Sequence, residues 1–259
     1  MMKQPIHSFV QERIGYLVLN RPEKRNALNA EMVEGMKSVL ADFANNDQVK
    51  IVVIKATGKV FCSGADLESL QVMQTNTYDE NLEDSRGLKD LFYKIYTFNK
   101  VIIAQVQGHA LAGGCGLATV CDFVFAVPDA KFGYTEVKIG FVPAIVKVFL
   151  LRKIGEGKAK QLLLDADPVS ASEAKEFGLI NWIVDEMELG KRVFDYAQKL
   201  ATQNSGTAMG LTKEMIARVQ EKSLEDGLEY AASMNAKARS SFDCKKGIAA
   251  FLNKESLSW

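Results

Sequence analysis

The sequence predicts an α/β fold: a core of repeated strand–turn–helix steps followed by a helical C-terminal part. Three observations carry that prediction. Short apolar, β-branched runs at 14–19 (IGYLVL) and 49–55 (VKIVVIK) flank a segment with helical spacing. The same kind of step recurs at 101–126, and beyond about residue 145 the pattern becomes mostly helical. A strand–helix–strand order favours parallel pairing through a right-handed crossover. The chain has 259 residues, 47% of them hydrophobic, enough for one large domain with a core of its own.

The elements follow in order. Between the first two strands, Met32, Val33, Met36, Val39, Leu40 and Phe43 recur at helical spacing over 30–45. A variable polar stretch at 71–86 leads into a helix expected at 87–98, with Asp79–Asp90 as a solvated, mobile face. Strand 101–106 (VIIAQV) precedes a glycine turn and a small-residue helix at 113–121. Strand 123–126 and an extended piece near Phe132 come next. Each step resembles a ββα turn of a spiral, although the pattern alone does not separate a spiral from an open doubly wound sheet. Ser170 and Glu173 form a capping box that opens a helix at 171–177, and Gly178 ends it. A short strand is expected at 179–184, then helices at 189–203, 206–220, 223–239 and 243–253. The expected division is a catalytic core over 1–195 and a helical subdomain over 196–259, with no low-complexity linker between them.

Charge and composition narrow the function classes. Lys plus Arg and Asp plus Glu number 32 each, so no global charge favours nucleic acid or an anionic membrane. The four cysteines form no CxxC pair and there are two histidines, which argues against a zinc site and a disulfide framework. No metal site, no membrane span and no signal peptide are expected, and the reading is a reduced, cytoplasmic protein.

Three loci could carry chemistry. Phe61-Cys62-Ser63-Gly64-Ala65-Asp66 follows the second strand, and Ala112-Gly113-Gly114-Cys115-Gly116 follows the third. Both sit where a strand gives way to a helix, whose first N–H groups are unpaired and partly positive. Two such ends side by side could aim two N–H groups at one anionic oxygen. Removing one donor of an oxyanion hole typically costs about 2.7–4 kcal/mol of transition-state stabilisation. Equally, the glycines could merely permit tight turns. The third locus is Glu136, in the mildly apolar stretch 133–140, where a carboxylate gains proton affinity suited to moving a proton at carbon. A surface glutamate beside Lys138 is the plainer alternative. His109, Asp66 and Asp122 read as local hydrogen-bonding or capping residues, and Cys115 and Cys121 as small packing residues.

Taken together, these loci resemble the enoyl-CoA hydratase/isomerase (crotonase) superfamily. The matching residues are Leu19-Asn20-Arg21-Pro22, Asn26-Ala27-Leu28-Asn29, Phe61-Cys62-Ser63-Gly64-Ala65-Asp66-Leu67 and Gly108…Ala112-Gly113-Gly114-Cys115…Cys121-Asp122. They continue with Phe132-Gly133…Glu136…Gly140…Pro143, Ala174…Gly178-Leu179-Ile180 and Gly247…Ala250-Phe251, in order over about 10–254. The resemblance implies a crotonase-type ββα spiral core and a helical C-terminal trimerisation subdomain, in a homotrimer or dimer of trimers. It implies an acyl-CoA thioester substrate and an enolate held by the N–H groups of Ala65 and Gly113. It requires no cofactor, since CoA is part of the substrate. The implied CoA-binding residues are Lys24, Arg25, Ala27, Cys62, Ala65, Asp66, Leu67 and Lys254, the last sometimes serving a neighbouring subunit.

Two departures stand out. Many hydratases carry lysine two residues after the Gly-Ala-Asp aspartate, where this chain has Glu68. Hydratases similar to the mitochondrial fatty-acid enzyme hold a water between two glutamates. One matches Glu136, and the other falls on Gly116. The resemblance therefore implies a hydratase-type lyase with Glu136 as acid/base. The alternatives are a Δ3,Δ2-enoyl-CoA isomerase working with one glutamate, or a non-catalytic acyl-CoA- or RNA-binding homologue. Residues 133–144 are also similar to bacterial enoyl-CoA and methylglutaconyl-CoA hydratases, which restores weight to hydration.

Overall fold

The structure, a computed structural model, describes residues 4–259. It opens with a hairpin that the hydrophobic pattern hides. β1 (Ile6–Gln11) pairs antiparallel with β2 (Ile14–Leu19), Gln11 opposite Ile14. The two-residue turn is Glu12-Arg13, at φ 47° and 66°. Such turns normally announce themselves as Asn-Gly or Asp-Gly. β1 is also exposed along most of its length, so it shows no apolar run.

α1 (Ala30–Asn45) has the predicted bounds, with Asn29 accepting the Met32 N–H at 3.0 Å as its cap. Its stripe of Met32, Val33, Met36, Leu40 and Phe43 is buried in the core. β3 (Ile51–Ala56) follows, then α2 (Leu67–Met73) and α3 (Tyr78–Tyr96). α3 begins well before the predicted 87, because Thr77 and Glu80 form a complete capping box. β4 (Val101–Val106), β5 (Ala110–Leu111), α4 (Gly113–Thr119), β6 (Phe123–Ala126) and β7 (Lys131–Gly133) come next. A 3-10 turn spans Glu136–Ile139 and leads to α5 (Ala144–Lys160). β8 (Val169–Ser170), α6 (Ala171–Glu176) and β9 (Trp182–Ile183) complete the core strands, with the predicted Ser170/Glu173 box present. The expected strand at 179–184 thus shrinks to Trp182–Ile183.

The strands separate into two sheets. One has six strands in the order β1-β2-β3-β4-β6-β9, parallel from β2 onward; the other has three, β5-β7-β8. Successive turns give one strand to each sheet and then a helix: β4, β5 and α4, then β6, β7 and α5. That alternation is a ββα spiral and not a doubly wound sheet, the distinction the pattern alone leaves open. The β3 turn reaches the small sheet through a single parallel bridge, Cys62 to Ala110.

Four helices follow: α7 (Glu186–Gln203), α8 (Gly206–Val219), α9 (Leu224–Ser240) and α10 (Phe242–Asn253). The division expected at 195/196 falls inside α7, which packs against β2, β3, β4 and β6. α8 is anchored by a buried ion pair, Lys213 to Asp122 at 2.7 Å. Lys213 also donates to the carbonyls of Ile95 and Lys100, and Asp122 accepts the Ile102 N–H. α9 buries none of its residues and α10 only Ala250, while Leu224, Leu228, Phe242, Phe251 and Leu252 stand exposed.

Candidate active site

The first wall of the site is the 21–28 loop, and its organiser is Asn26. This side chain is fully buried. Its amide donates to the carbonyls of Thr57 and Val60 at 2.9 and 2.8 Å, and its oxygen accepts the Arg21 N–H. Arg21 crosses from the same loop to Asp66, 3.0 Å away, and donates to the Ala27 carbonyl. Burial alone would raise the Asp66 carboxyl. Its bond from the Glu68 N–H and its Arg21 partner outweigh that and hold it below the ordinary carboxylate value. Asp66 also caps α2, the bland role that the sequence suggests.

Ala65 pairs with Leu28 in a parallel bridge. Leu28 donates to the Gly64 carbonyl at 2.7 Å, and Asp66 donates to the Leu28 carbonyl at 2.9 Å. In such a bridge the flanking residues make the bonds, so the Ala65 N–H turns to the opposite side. There it has no protein acceptor among the described residues, nor has the N–H of Gly113 at the start of α4. The two segments touch. Gly64 stands at φ +95°, and a Cβ on it would lie 2.7 Å from the Ala112 Cβ and 3.3 Å from the Gly113 nitrogen. A Cβ on Gly114 would lie 2.2 Å from the Cys62 carbonyl oxygen. Glycine at both positions therefore serves close approach of two backbones. Ala112, the residue before α4, is held at φ +48° and ψ −126°, an uncommon conformation for a residue with a Cβ.

Glu136 arrives by way of β7. The Gly133 carbonyl accepts the Ala112 N–H at 2.7 Å, so β7 lies against the segment that enters α4. Three residues later Glu136 opens its 3-10 turn, half-buried, with Oε2 sealed from solvent and unpaired. Burial raises its carboxyl above the usual 4.5, only partly offset by its own N–H. Burial is the main cause that raises Cys115 of α4 and Tyr134, and the Glu136 charge adds to both. An unpartnered carboxylate oxygen thus follows, three residues on, the strand that is bonded to the entry of α4 and its free Gly113 amide. Burial pushes the Cys62 and Cys115 thiols up to about 12, so neither is a thiolate nucleophile at neutral pH.

At Gly116 the place of a side chain is already taken. A Cβ there would meet Val146 Cγ1 at 2.3 Å and Phe92 Cε2 at 2.9 Å. Val146 comes from α5 and Phe92 from α3, and both are buried. Neither Phe92 nor Val146 carries a signal in the sequence that links it to position 116.

The residues implied for CoA binding divide. Ala27, Ala65, Asp66 and Leu67 gather around the Leu28–Ala65 bridge, with Leu67 exposed at the first turn of α2. Lys24 and Arg25 are exposed on the same loop, Arg25 at φ +52°. Lys24 is not free, because its ammonium is paired with Glu68 at 2.8 Å. Cys62 takes a structural place: its side chain is sealed, its N–H donates to His109 and its carbonyl accepts from Leu111. Lys254 stands apart, at φ +57° as the C-cap of α10, with no hydrogen bond or ion pair to the 21–28 or 62–67 segments. A cavity of about 790 Å³ lies elsewhere, between α5, α8 and the ends of β4 and β6, and none of Ala65, Gly113 or Glu136 lines it.

Comparison with known proteins extends over almost the full chain. A profile of the enoyl-CoA hydratase/isomerase family matches residues 10–259. A Thermus thermophilus protein whose name assigns it provisionally to the enoyl-CoA hydratases is 42% identical over 93% of this chain and 95% of its own. The short-chain-enoyl-CoA hydratase of Clostridium acetobutylicum is 32% identical, covering 95% and 93%. Among solved structures, an enoyl-CoA hydratase of Mycobacterium smegmatis superposes with a TM-score of 0.92 at 28% identity, covering 99% of both chains.

Proposed function

This chain belongs to the enoyl-CoA hydratase/isomerase family, and on that premise we propose that it is a hydratase-type lyase. It adds water across, or removes it to form, the α,β double bond of an acyl-CoA thioester. What supports the residue assignment is a pair of acceptor-free amides, Ala65 and Gly113, on segments in contact, with β7 bonded to the second of them and leading to the sealed and unpaired Oε2 of Glu136. In hydration, the Glu136 carboxylate takes a proton from water while the water oxygen bonds to the β-carbon. The double-bond electrons move towards the thioester oxygen, where the two N–H groups meet the growing charge. The Glu136 acid then returns the proton to the α-carbon. The scheme needs no cofactor, since CoA enters as part of the substrate.

CoA lies over the 21–28 loop and the turn at 64–67, with Lys24 and Arg25 as phosphate partners. The exposed apolar residues of α9 and α10 support assembly into a trimer, or a pair of trimers, through these helices. Lys254 would then act from a neighbouring subunit. Three cysteines buried as free thiols suit a cytoplasmic setting, and no described helix is long and apolar enough to cross a membrane.

A panel of acyl-CoA thioesters, including crotonyl-CoA and methylglutaconyl-CoA, followed by mass spectrometry tests this reading. Products heavier by one water are expected, and Glu136→Gln should abolish them. No water gain with any member would refute the lyase assignment. The filled space at Gly116 favours one other reading, double-bond isomerisation by Glu136 alone, which would place solvent deuterium on carbon without net hydration.

A further inference from the structure

Glu136 and the Gly113 amide belong to different segments, yet both must meet one substrate. Tyr134, two residues before Glu136, is completely buried. Its hydroxyl lies 2.7 Å from Thr119 Oγ1, and Thr119 donates to the Cys115 carbonyl at 2.8 Å. A hydroxyl has one hydrogen, so Thr119 has none left and Tyr134 is the donor. The bond therefore runs from the segment carrying the acid/base to the last turn of α4. On the preceding residue, the Gly133 carbonyl holds the Ala112 N–H at the other end of that helix. Consecutive residues, 133 and 134, are thus tied to opposite ends of α4. Thr135 follows at φ −96°, ψ 4°, and Glu136 starts a turn closed by the Phe141 N–H on its own carbonyl.

We infer that Tyr134 and Thr119 are positioning residues: their hydrogen bond fixes the Glu136 carboxylate relative to the Gly113 amide, so that one bound thioester meets both. The inference rests on the assignment of Glu136 and Gly113 made above. Neither hydroxyl touches the reacting atoms in this scheme; both act through the spacing. Their loss should therefore lower turnover without weakening substrate binding.

The test compares kcat and KM for a thioester that the wild-type protein hydrates, in Tyr134→Phe, Thr119→Val, Thr119→Ser and the Tyr134→Phe/Thr119→Val double variant. Small misplacements at an active site cost up to about a hundredfold in rate, so roughly tenfold is expected in kcat for Tyr134→Phe and for Thr119→Val. KM should stay within about twofold, because an interaction realised only in the transition state is what changes. Thr119→Ser keeps the hydroxyl and should keep the rate. The double variant should be no slower than the slower single one, since both remove the same bond. Unchanged kcat in folded Tyr134→Phe and Thr119→Val, losses that multiply, or a rise in KM alone would overturn the inference. If Tyr134→Phe does not fold, the Thr119→Val and Thr119→Ser pair reads the same bond from its other end. Glu136→Gln separates the levels. If it retains turnover, the acid/base assignment itself fails; if it is inactive while Tyr134→Phe is fully active, only the positioning role fails.

Discussion

Replacing Gly116 with alanine sets two effects of opposite sign against each other. Helix propensity favours the change by about 1 kcal/mol. Packing opposes it, because the new methyl would sit 2.3 Å from Val146 Cγ1 and 2.9 Å from Phe92 Cε2. Carbon atoms in contact prefer about 3.5–4.0 Å, so the overlap with Val146 exceeds an ångström. Val146 is β-branched within α5 and has little rotamer freedom to yield. Phe92 is fully buried in α3. Overpacking costs about 1–3 kcal/mol, and an overlap of more than an ångström on a buried, stiff side chain belongs in the upper half of that range. The net expectation after the propensity gain is therefore a loss of about 1–2 kcal/mol. For a chain of this size that is a fall in Tm of about 2–8 °C. Urea unfolding at constant m supplies the free energy. Val146→Ala removes the clashing carbon, so the Gly116→Ala/Val146→Ala pair should lose less stability than the sum of its singles, by about 1 kcal/mol or more. A Gly116→Ala protein as stable as wild type, or an additive pair, would show that the space beside residue 116 is open and that packing is not what excludes a second carboxylate.

Burial raises the Glu136 carboxyl, so the ionised form of the proposed base is lost on acidification at a pH above 4.5, and kcat/KM for hydration should fall there. The same shift opposes folding above the folded pKa and disappears below the unfolded value. Glu136→Gln should accordingly melt higher than wild type at pH 7, with the gap closing as melts are taken to lower pH. Glu68→Gln releases Lys24 from its ion pair and should lower KM for CoA thioesters by about two- to fivefold at low salt, an effect that added salt should erase. Lys213→Met leaves Asp122 buried without its partner and should cost about 3–5 kcal/mol in urea unfolding. Adding Asp122→Asn should recover much of that loss.

The core was legible because its period signals are strong. The α1 stripe and the β-branched runs of β2, β3 and β4 are buried by the same residues that announce them. The hairpin was not, since Glu12 and Arg13 adopt left-handed backbone without the residues that usually mark it. The Thr77/Glu80 box was readable as a helix start, but the polar composition around it masked the signal. At the candidate site, local chemistry and resemblance point to Glu136, Ala65 and Gly113. Asn26, Tyr134 and Thr119 carry no such signal, because what they do depends on contacts between segments far apart in sequence. The pairing of Lys24 with Glu68 spans 44 positions and was equally invisible. What residue 116 lacks is readable in one line of sequence; what fills its place, Val146 and Phe92, emerges only from helix packing.

Ala112 carries a consequence for how the protein divides its free energy between folding and turnover. At φ +48°, with its N–H on the Gly133 carbonyl, it would keep the proposed Gly113 donor aimed before any substrate arrives. Such a backbone costs roughly 1–3 kcal/mol. That cost is met once, when the chain folds, and lowers the stability of the resting protein. On the proposed assignment, the amide would then have no reorganisation to undergo each time charge appears on a thioester oxygen. Relaxing this residue would exchange speed for heat resistance.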